Sequence, residues 1–144
     1  MGEVKSKEFF YENFLEWEKE KIGVVNISGK PSFKITTPQE FGGSSLYLSP
    51  EDLFVASINS CLMTTFLYYA QRSNLKIISY KSKAVGKVEI KERKLIFTQI
   101  KVFPQITTDI FEKAEELIKK AKEKCLVSNS VKSEVIIEPQ IKSG

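Results

Sequence analysis

The spacing of apolar side chains changes several times along the chain, and each change marks an element. Residues 8–17 place Phe9, Tyr11, Leu15 and Trp17 on one parity, interrupted only by Asn13, which predicts a strand. The charged run Glu18-Lys19-Glu20-Lys21 predicts a hairpin turn, followed by a short strand over Val24–Ile27. Gly29-Lys30-Pro31 turns the chain into another strand at Phe33–Thr36, completing an antiparallel meander. Residues 37–49 hold Pro38, Gly42, Gly43 and paired serines; at about a dozen residues, this loop is long for a bare connection.

A helix begins where that loop ends. Ser49 suits the cap, Pro50 the first helical position, and Glu51 and Asp52 the positive end of the dipole. Leu53, Phe54, Val55, Ala56, Ile58, Leu62, Met63, Phe66, Leu67 and Ala70 then leave almost no polar face. A helix of that kind is expected to be the spine of the core, buried on most sides, ending near Asn74. Residues 77–90 alternate again. Glu92-Arg93-Lys94 turns, and Leu95–Phe103 is a strand that Pro104 is expected to close, giving a long hairpin. Helical spacing returns at Ile110, Ala114, Leu117, Ile118 and Ala121, with Thr107 or Thr108 as the predicted cap and Asp109 in the first turn. A final strand runs from Val131 to Glu138. Strands and helices are segregated rather than alternating. The class is therefore α+β with mainly antiparallel sheets, in one domain over residues 1–144.

Composition narrows the function. The net charge of +4 comes from lysines answered by glutamates along the whole chain, without a basic cluster interleaved with aromatics, so no nucleic-acid partner is expected. The N-terminus, with Lys5, Lys7, Glu8 and Glu12, lacks the apolar stretch of a signal peptide. Asn59, Ser60, Thr64 and Thr65 interrupt the most apolar region, so no membrane span is expected and the chain reads as cytoplasmic. The sequence has no histidine, which excludes Cys–His nucleophile pairs, and its two cysteines are too few for a structural zinc. Cys61, about three turns into the apolar helix, and Cys125, at the end of the second, remain as core thiols, a structural disulfide or a redox-active pair.

Several of these features together resemble the OsmC/Ohr family of thiol-dependent hydroperoxide reductases. The resemblance rests on Ser49-Pro50-Glu51-Asp52-Leu53, Cys61 ten residues after the glutamate, and Cys125-Leu126-Val127-Ser128 after an amphipathic helix. Trp17 and the segment Pro38-Gln39-Glu40-Phe41-Gly42-Gly43 extend it over essentially the whole chain. The resemblance implies an OsmC-like fold and an intertwined homodimer with shared active sites. It implies that Cys61 attacks a hydroperoxide and becomes a sulfenic acid, that Cys125 resolves it as a disulfide, and that Glu51 orients the site. It further implies that a dithiol or lipoyl-type reductant restores both thiols, with no bound metal or organic cofactor. Two positions depart from the family pattern. Lys19 and Lys21 stand in the hairpin loop where the family carries an arginine, and Leu126 replaces the usual proline. The alternative function is therefore an OsmC-like redox-sensing or small-molecule-binding protein with little peroxidase turnover; a purely structural dimer is a third.

Two physical expectations accompany this reading. Cys61 is mid-helix, where its own helix dipole gives little help, so a cation is expected to stabilise its thiolate, with Lys21, Lys19 and Arg72 as candidates. Glu51 and Cys61 are about 15 Å apart along one helix and roughly 80° apart around it. If both serve one site, Glu51 comes from a neighbouring subunit. The aromatic set Phe9, Tyr11, Phe14 and Trp17 is expected in the core or at that subunit interface. Cys125, beside the polar Ser128-Asn129-Ser130 run, is expected to be a mobile thiol rather than a core one.

Overall fold

The first sheet has three antiparallel strands in the order β1-β2-β3: β1 (Phe14–Lys19), β2 (Ile22–Asn26) and β3 (Phe33–Ile35). The computed structural model describes residues 7–144, so Lys5 of the N-terminal stretch lies outside the described residues. Two compact units divide the chain, Met1–Asp52 and Leu53–Gly144. The meander is the one expected, but its first strand starts late. Lys7 to Asn13 have no regular structure, and Phe9, Tyr11, Phe14 and Trp17 are all exposed, so within one chain none is a core residue. Glu20 takes a left-handed φ of 50° in the hairpin turn, and its carbonyl accepts a hydrogen bond from Trp17 Nε1 at 2.8 Å.

The long loop is tied at both ends by Thr36 N donating to the Leu48 carbonyl at 2.8 Å. Inside it, a single 3-10 turn, Gln39–Phe41, leads into Gly42 at φ 91°. A side chain at Gly43 would place its Cβ 1.7 Å from the Thr37 carbonyl oxygen, so only glycine fits there.

The helix α1 (Pro50–Arg72) has the predicted bounds and a reciprocal cap. Asp52 N donates to Ser49 Oγ at 3.0 Å, and Ser49 N donates to Asp52 Oδ2 at 2.9 Å. At the other end, Asn74 is left-handed at φ 55°. Leu75 N returns to the Ala70 carbonyl and Asn74 N to that of Gln71, a Schellman closure. Burial is one-sided: Ile58, Leu62, Phe66 and Ala70 form the buried stripe, while the remaining apolar positions stay partly open in the single chain. By length and composition this helix is apolar enough to cross a membrane, contrary to the expectation drawn from its polar interruptions. Its buried stripe is instead part of a protein core.

That core lies in the second unit. Strands β4 (Ile77–Lys91) and β5 (Lys94–Thr108) form the long antiparallel hairpin, closed by Glu92 and Arg93 at φ 51° and 66°. Both central residues are left-handed, as a two-residue turn matching strand twist requires, although neither is glycine. Strand β5 does not stop at Pro104 but runs on to Thr108. The proline is tolerated because β6 (Glu134–Ile137) pairs with Gln99–Val102 and β7 (Gln140–Ser143) with Gln105–Thr108, leaving a gap opposite it. Both short strands run parallel to β5, so the predicted single final strand is two, and this sheet is mixed. Ile100, Val102 and Ile106 of β5 meet the α1 stripe and Ala114, Leu117, Ile118 and Ala121 of α2 (Phe111–Lys124) in one cluster. Thr107 and Thr108 belong to β5 and do not cap α2. Thr108 Oγ1 donates to the Lys76 carbonyl at 2.9 Å, and α2 starts from Ile110 without a side-chain cap. At Gly86 helix α1 approaches the sheet closely, since a Cβ there would sit 2.7 Å from both Val55 Cγ2 and Phe97 Cε1.

Candidate functional site

Cys61 is carried on α1 one residue before the buried Leu62, so its sulfur lies at the margin of the core and is only partly buried. Cys125 ends α2 and, in an extended conformation (φ −67°, ψ 111°), begins the four-residue helix α3 (Leu126–Asn129). Two hydrogen bonds fix this corner: Asn129 N donates to the Cys125 carbonyl at 3.0 Å, and Asn129 Nδ2 to the Glu123 carbonyl at 2.9 Å. The expected mobile thiol is not seen. Cys125 has no exposed surface, because the turn from α2 into α3 folds it inward while the polar Ser-Asn-Ser run forms the outer side.

The fold brings the two cysteines together, 64 residues apart in sequence and both free thiols. Burial pushes the Cys61 thiol up. The Val127 amide, the Cys125 thiol, the Thr65 hydroxyl and the Leu126 amide more than offset this by hydrogen bonding to the sulfur, and its pKa falls below the ordinary value. Cys125 moves the other way: burial raises it, the Ser128 hydroxyl and amide oppose that, and the Cys61 sulfur raises it further. Of the two thiols, Cys61 is therefore the more readily ionised.

No lysine or arginine is among the groups that lower the Cys61 pKa within one chain. Arg72 stands eleven residues beyond Cys61 on the same helix, about 16 Å of rise. Its guanidinium lies over the Tyr68 ring, 5.5 Å from the centroid, so it does not reach the thiol. Lys21 belongs to the N-terminal unit. There its Nζ donates to the Phe41 carbonyl at 3.1 Å, and it lines an open cleft of about 380 Å³ with Glu20, Thr36, Gly42, Gly43 and Ser44. Lys19 is exposed at the end of β1. Glu51 stays in the first turn of α1, ten residues from Cys61, so within one chain it does not join the thiol pair. Its Oε1 is buried without a hydrogen-bond partner among the described residues.

Three residues missed by the sequence reading complete the site. Leu126 and Val127 act through backbone amides, which no side-chain pattern reveals. Ser128 Oγ donates to Cys125 Sγ at 3.1 Å, and its place three residues after the cysteine was a signal that could have been read. Behind Cys125, Tyr80 of β4 is pushed up to about 12 by burial. Its OH, Ser82 Oγ and Asn59 Oδ1 are buried without partners among the described residues, while Asn59 Nδ2 donates to the Ser82 carbonyl at 3.3 Å. Among the described residues no cluster of three or more His, Cys, Asp or Glu could hold a metal ion.

The family model for OsmC-like proteins matches residues 42–140, which includes the start of α1 and both cysteines. The chain belongs to the OsmC-like family. Solved structures share this OsmC-like fold at low identity. An OsmC-like protein of unknown function from Vibrio cholerae superposes with a TM-score of 0.86 at 21% identity, covering 92% of this chain and 100% of its own. A hypothetical protein from Aquifex aeolicus gives 0.80 at 19%, covering 95% and 99%. An organic hydroperoxide resistance protein from Elizabethkingia anophelis, with thiocyanate bound, gives 0.72 at 20%, covering 96% and 100%. No curated protein matches the chain.

Proposed function

We propose that this OsmC-like protein is a thiol-dependent peroxidase that reduces organic hydroperoxides or hydrogen peroxide. The observation that carries the reading is the thiol pair: a partly open Cys61 with a depressed pKa, beside a buried Cys125 whose pKa is raised. The two thiols are thereby given different work. The Cys61 thiolate attacks the outer peroxide oxygen, the O–O bond breaks, and the alkoxide leaves as alcohol after taking up a proton. Cys61 becomes a sulfenic acid. Cys125 then attacks the Cys61 sulfur, its proton leaves with the hydroxide as water, and a disulfide closes. An external dithiol, of lipoyl type or similar, returns both thiols, entering at Cys61 because Cys125 has no exposed surface. The redox-related role is supported by family membership and by hydroperoxide-resistance proteins among the structural neighbours.

In this reading the protein works as a cytoplasmic homodimer with shared sites. The partnerless Oε1 of Glu51 and the exposed Phe9, Tyr11, Phe14 and Trp17 are what a second copy would satisfy and cover. Glu51 would then orient the site of the neighbouring subunit, with Lys21 standing in for the family arginine. The second reading, a redox sensor or small-molecule binder with little turnover, is favoured by one observation: Lys21 offers a point charge already hydrogen-bonded to Phe41.

Stopped-flow mixing of reduced protein with cumene hydroperoxide or hydrogen peroxide separates the two. Peroxidase function requires thiol loss far faster than that of free cysteine and absent from Cys61→Ser. A rate equal to that of free cysteine overturns the peroxidase reading in favour of the second.

A further inference from the structure

Ser128 is used by no step described so far. Its hydroxyl makes one side-chain hydrogen bond, to the Cys125 sulfur at 3.1 Å, from a position three residues later in α3. The Cys125 thiol is in turn one of the groups that lower the pKa of Cys61. Hydroxyl, buried thiol and outer thiol thus stand in sequence, Ser128 beside Cys125 and Cys125 beside Cys61.

We propose that Ser128 is a positioning residue for the thiol pair: its hydroxyl occupies the acceptor side of the Cys125 sulfur and thereby turns the Cys125 S–H towards Cys61. The proposal rests on the peroxidase reading for its functional meaning, but its geometry is independent of it. A sulfur that accepts from Ser128 is polarised as a donor, because hydrogen bonds in a chain strengthen one another away from water. While Cys61 is the nucleophile, the chain stabilises its thiolate. Once Cys61 is a sulfenic acid, the same Ser128 hydroxyl stabilises the negative charge that develops on Cys125 as it attacks. The S–S bond forms, the S–OH bond breaks, and the Cys125 proton leaves with the hydroxide as water. One serine thus serves both halves of the cycle. Within one chain the remaining groups around the pair are Thr65 on α1, the Leu126 and Val127 amides on α3 and the Tyr80 phenol on β4; the charged Glu51 and Lys21 that the proposed dimer would add are the same in every variant compared.

The test is a thermodynamic cycle on Cys61 alkylation. The pH profile of iodoacetamide labelling of Cys61 is measured in the full-length reduced protein, in Ser128→Ala, in Cys125→Ala and in the double variant, with peptide mass analysis to assign the site. Ser128→Ala is expected to move the Cys61 midpoint up by about half a pH unit. The same change in the Cys125→Ala background is expected to move it by nothing, and Ser128→Thr to restore the wild-type profile. An equal shift in both backgrounds, or no shift in either, overturns the proposal. Ser128→Ala is also expected to slow disulfide closure three- to tenfold, read as a longer-lived, dimedone-trapped sulfenic acid after peroxide. Peroxidase failure would appear as wild-type protein that alkylates with a lowered midpoint yet does not consume hydroperoxide, which leaves the serine proposal standing.

Discussion

Cys125 has no exposed surface and lies beside Cys61, which sits at the margin of the same core, near enough for each thiol to shift the pKa of the other. Every functional expectation for this chain depends on that contact. Burial raises the pKa of both thiols, and at the outer one the Val127 amide, the Cys125 thiol and the Thr65 hydroxyl outweigh it, so that thiol ionises more readily. A disulfide between them requires Cα atoms within about 7 Å and sulfurs turned towards one another.

Leu126→Pro isolates the backbone contribution. Position 126 is the first residue of α3, its side chain is exposed, and Cys125 before it is already extended, so proline fits without strain. The substitution removes one amide donor to Cys61. The Cys61 alkylation midpoint is expected to rise by about half to one pH unit, with thermal stability unchanged. A fall in melting temperature with an unmoved midpoint would show that the amide serves the fold alone.

Tyr80→Phe tests the buried polar group behind the thiols. The phenol stays neutral in the fold up to about pH 12, while in the unfolded chain it ionises near its ordinary 10.0. Its contribution to stability is therefore intact below that lower value and lost as pH rises through the upper one. Since the hydroxyl has no partner, removing it is expected to change stability at neutral pH by about 1 kcal/mol or less, in either direction. Alkaline unfolding is expected to move to higher pH, as followed by urea titration between pH 7 and 12.

Gly86→Ala probes the approach of α1 to the sheet. Its new Cβ would meet Val55 and Phe97 at 2.7 Å, so overpacking is expected to cost about 1–3 kcal/mol in urea unfolding. Pairing the change with Val55→Ala is expected to recover part of the loss.

Ser49→Ala removes one side of the reciprocal cap with Asp52 and is expected to cost about 1 kcal/mol, leaving Cys61 alkylation unaffected.

Much of the fold was legible because its signals are local. The cap at Ser49, the proline at 50, the left-handed Asn74 and the helical spacing of Ala114, Leu117, Ile118 and Ala121 each specify an element within a few residues. What was not legible depended on distant partners. Pro104 closes a strand by local rules, yet β5 continues because β6 and β7 leave a gap opposite it. The polar Ser128-Asn129-Ser130 run read as a mobile surface around Cys125, whereas the turn between two helices faces that thiol inward. Lys21, Lys19 and Arg72 were legible as candidate thiolate partners because charge is written in the sequence, whereas the Val127 and Leu126 amides carry no sequence signature.

The central claim is that Cys61 and Cys125 form one redox unit, and the products of a single oxidation test it most directly. Reduced protein is treated with one equivalent of cumene hydroperoxide and analysed by non-reducing peptide mass spectrometry. The expected result is loss of both thiols, a mass decrease of two hydrogens, and a peptide pair joined through Cys61 and Cys125. Accumulation of Cys61 sulfinic acid beside an untouched Cys125 thiol would contradict it.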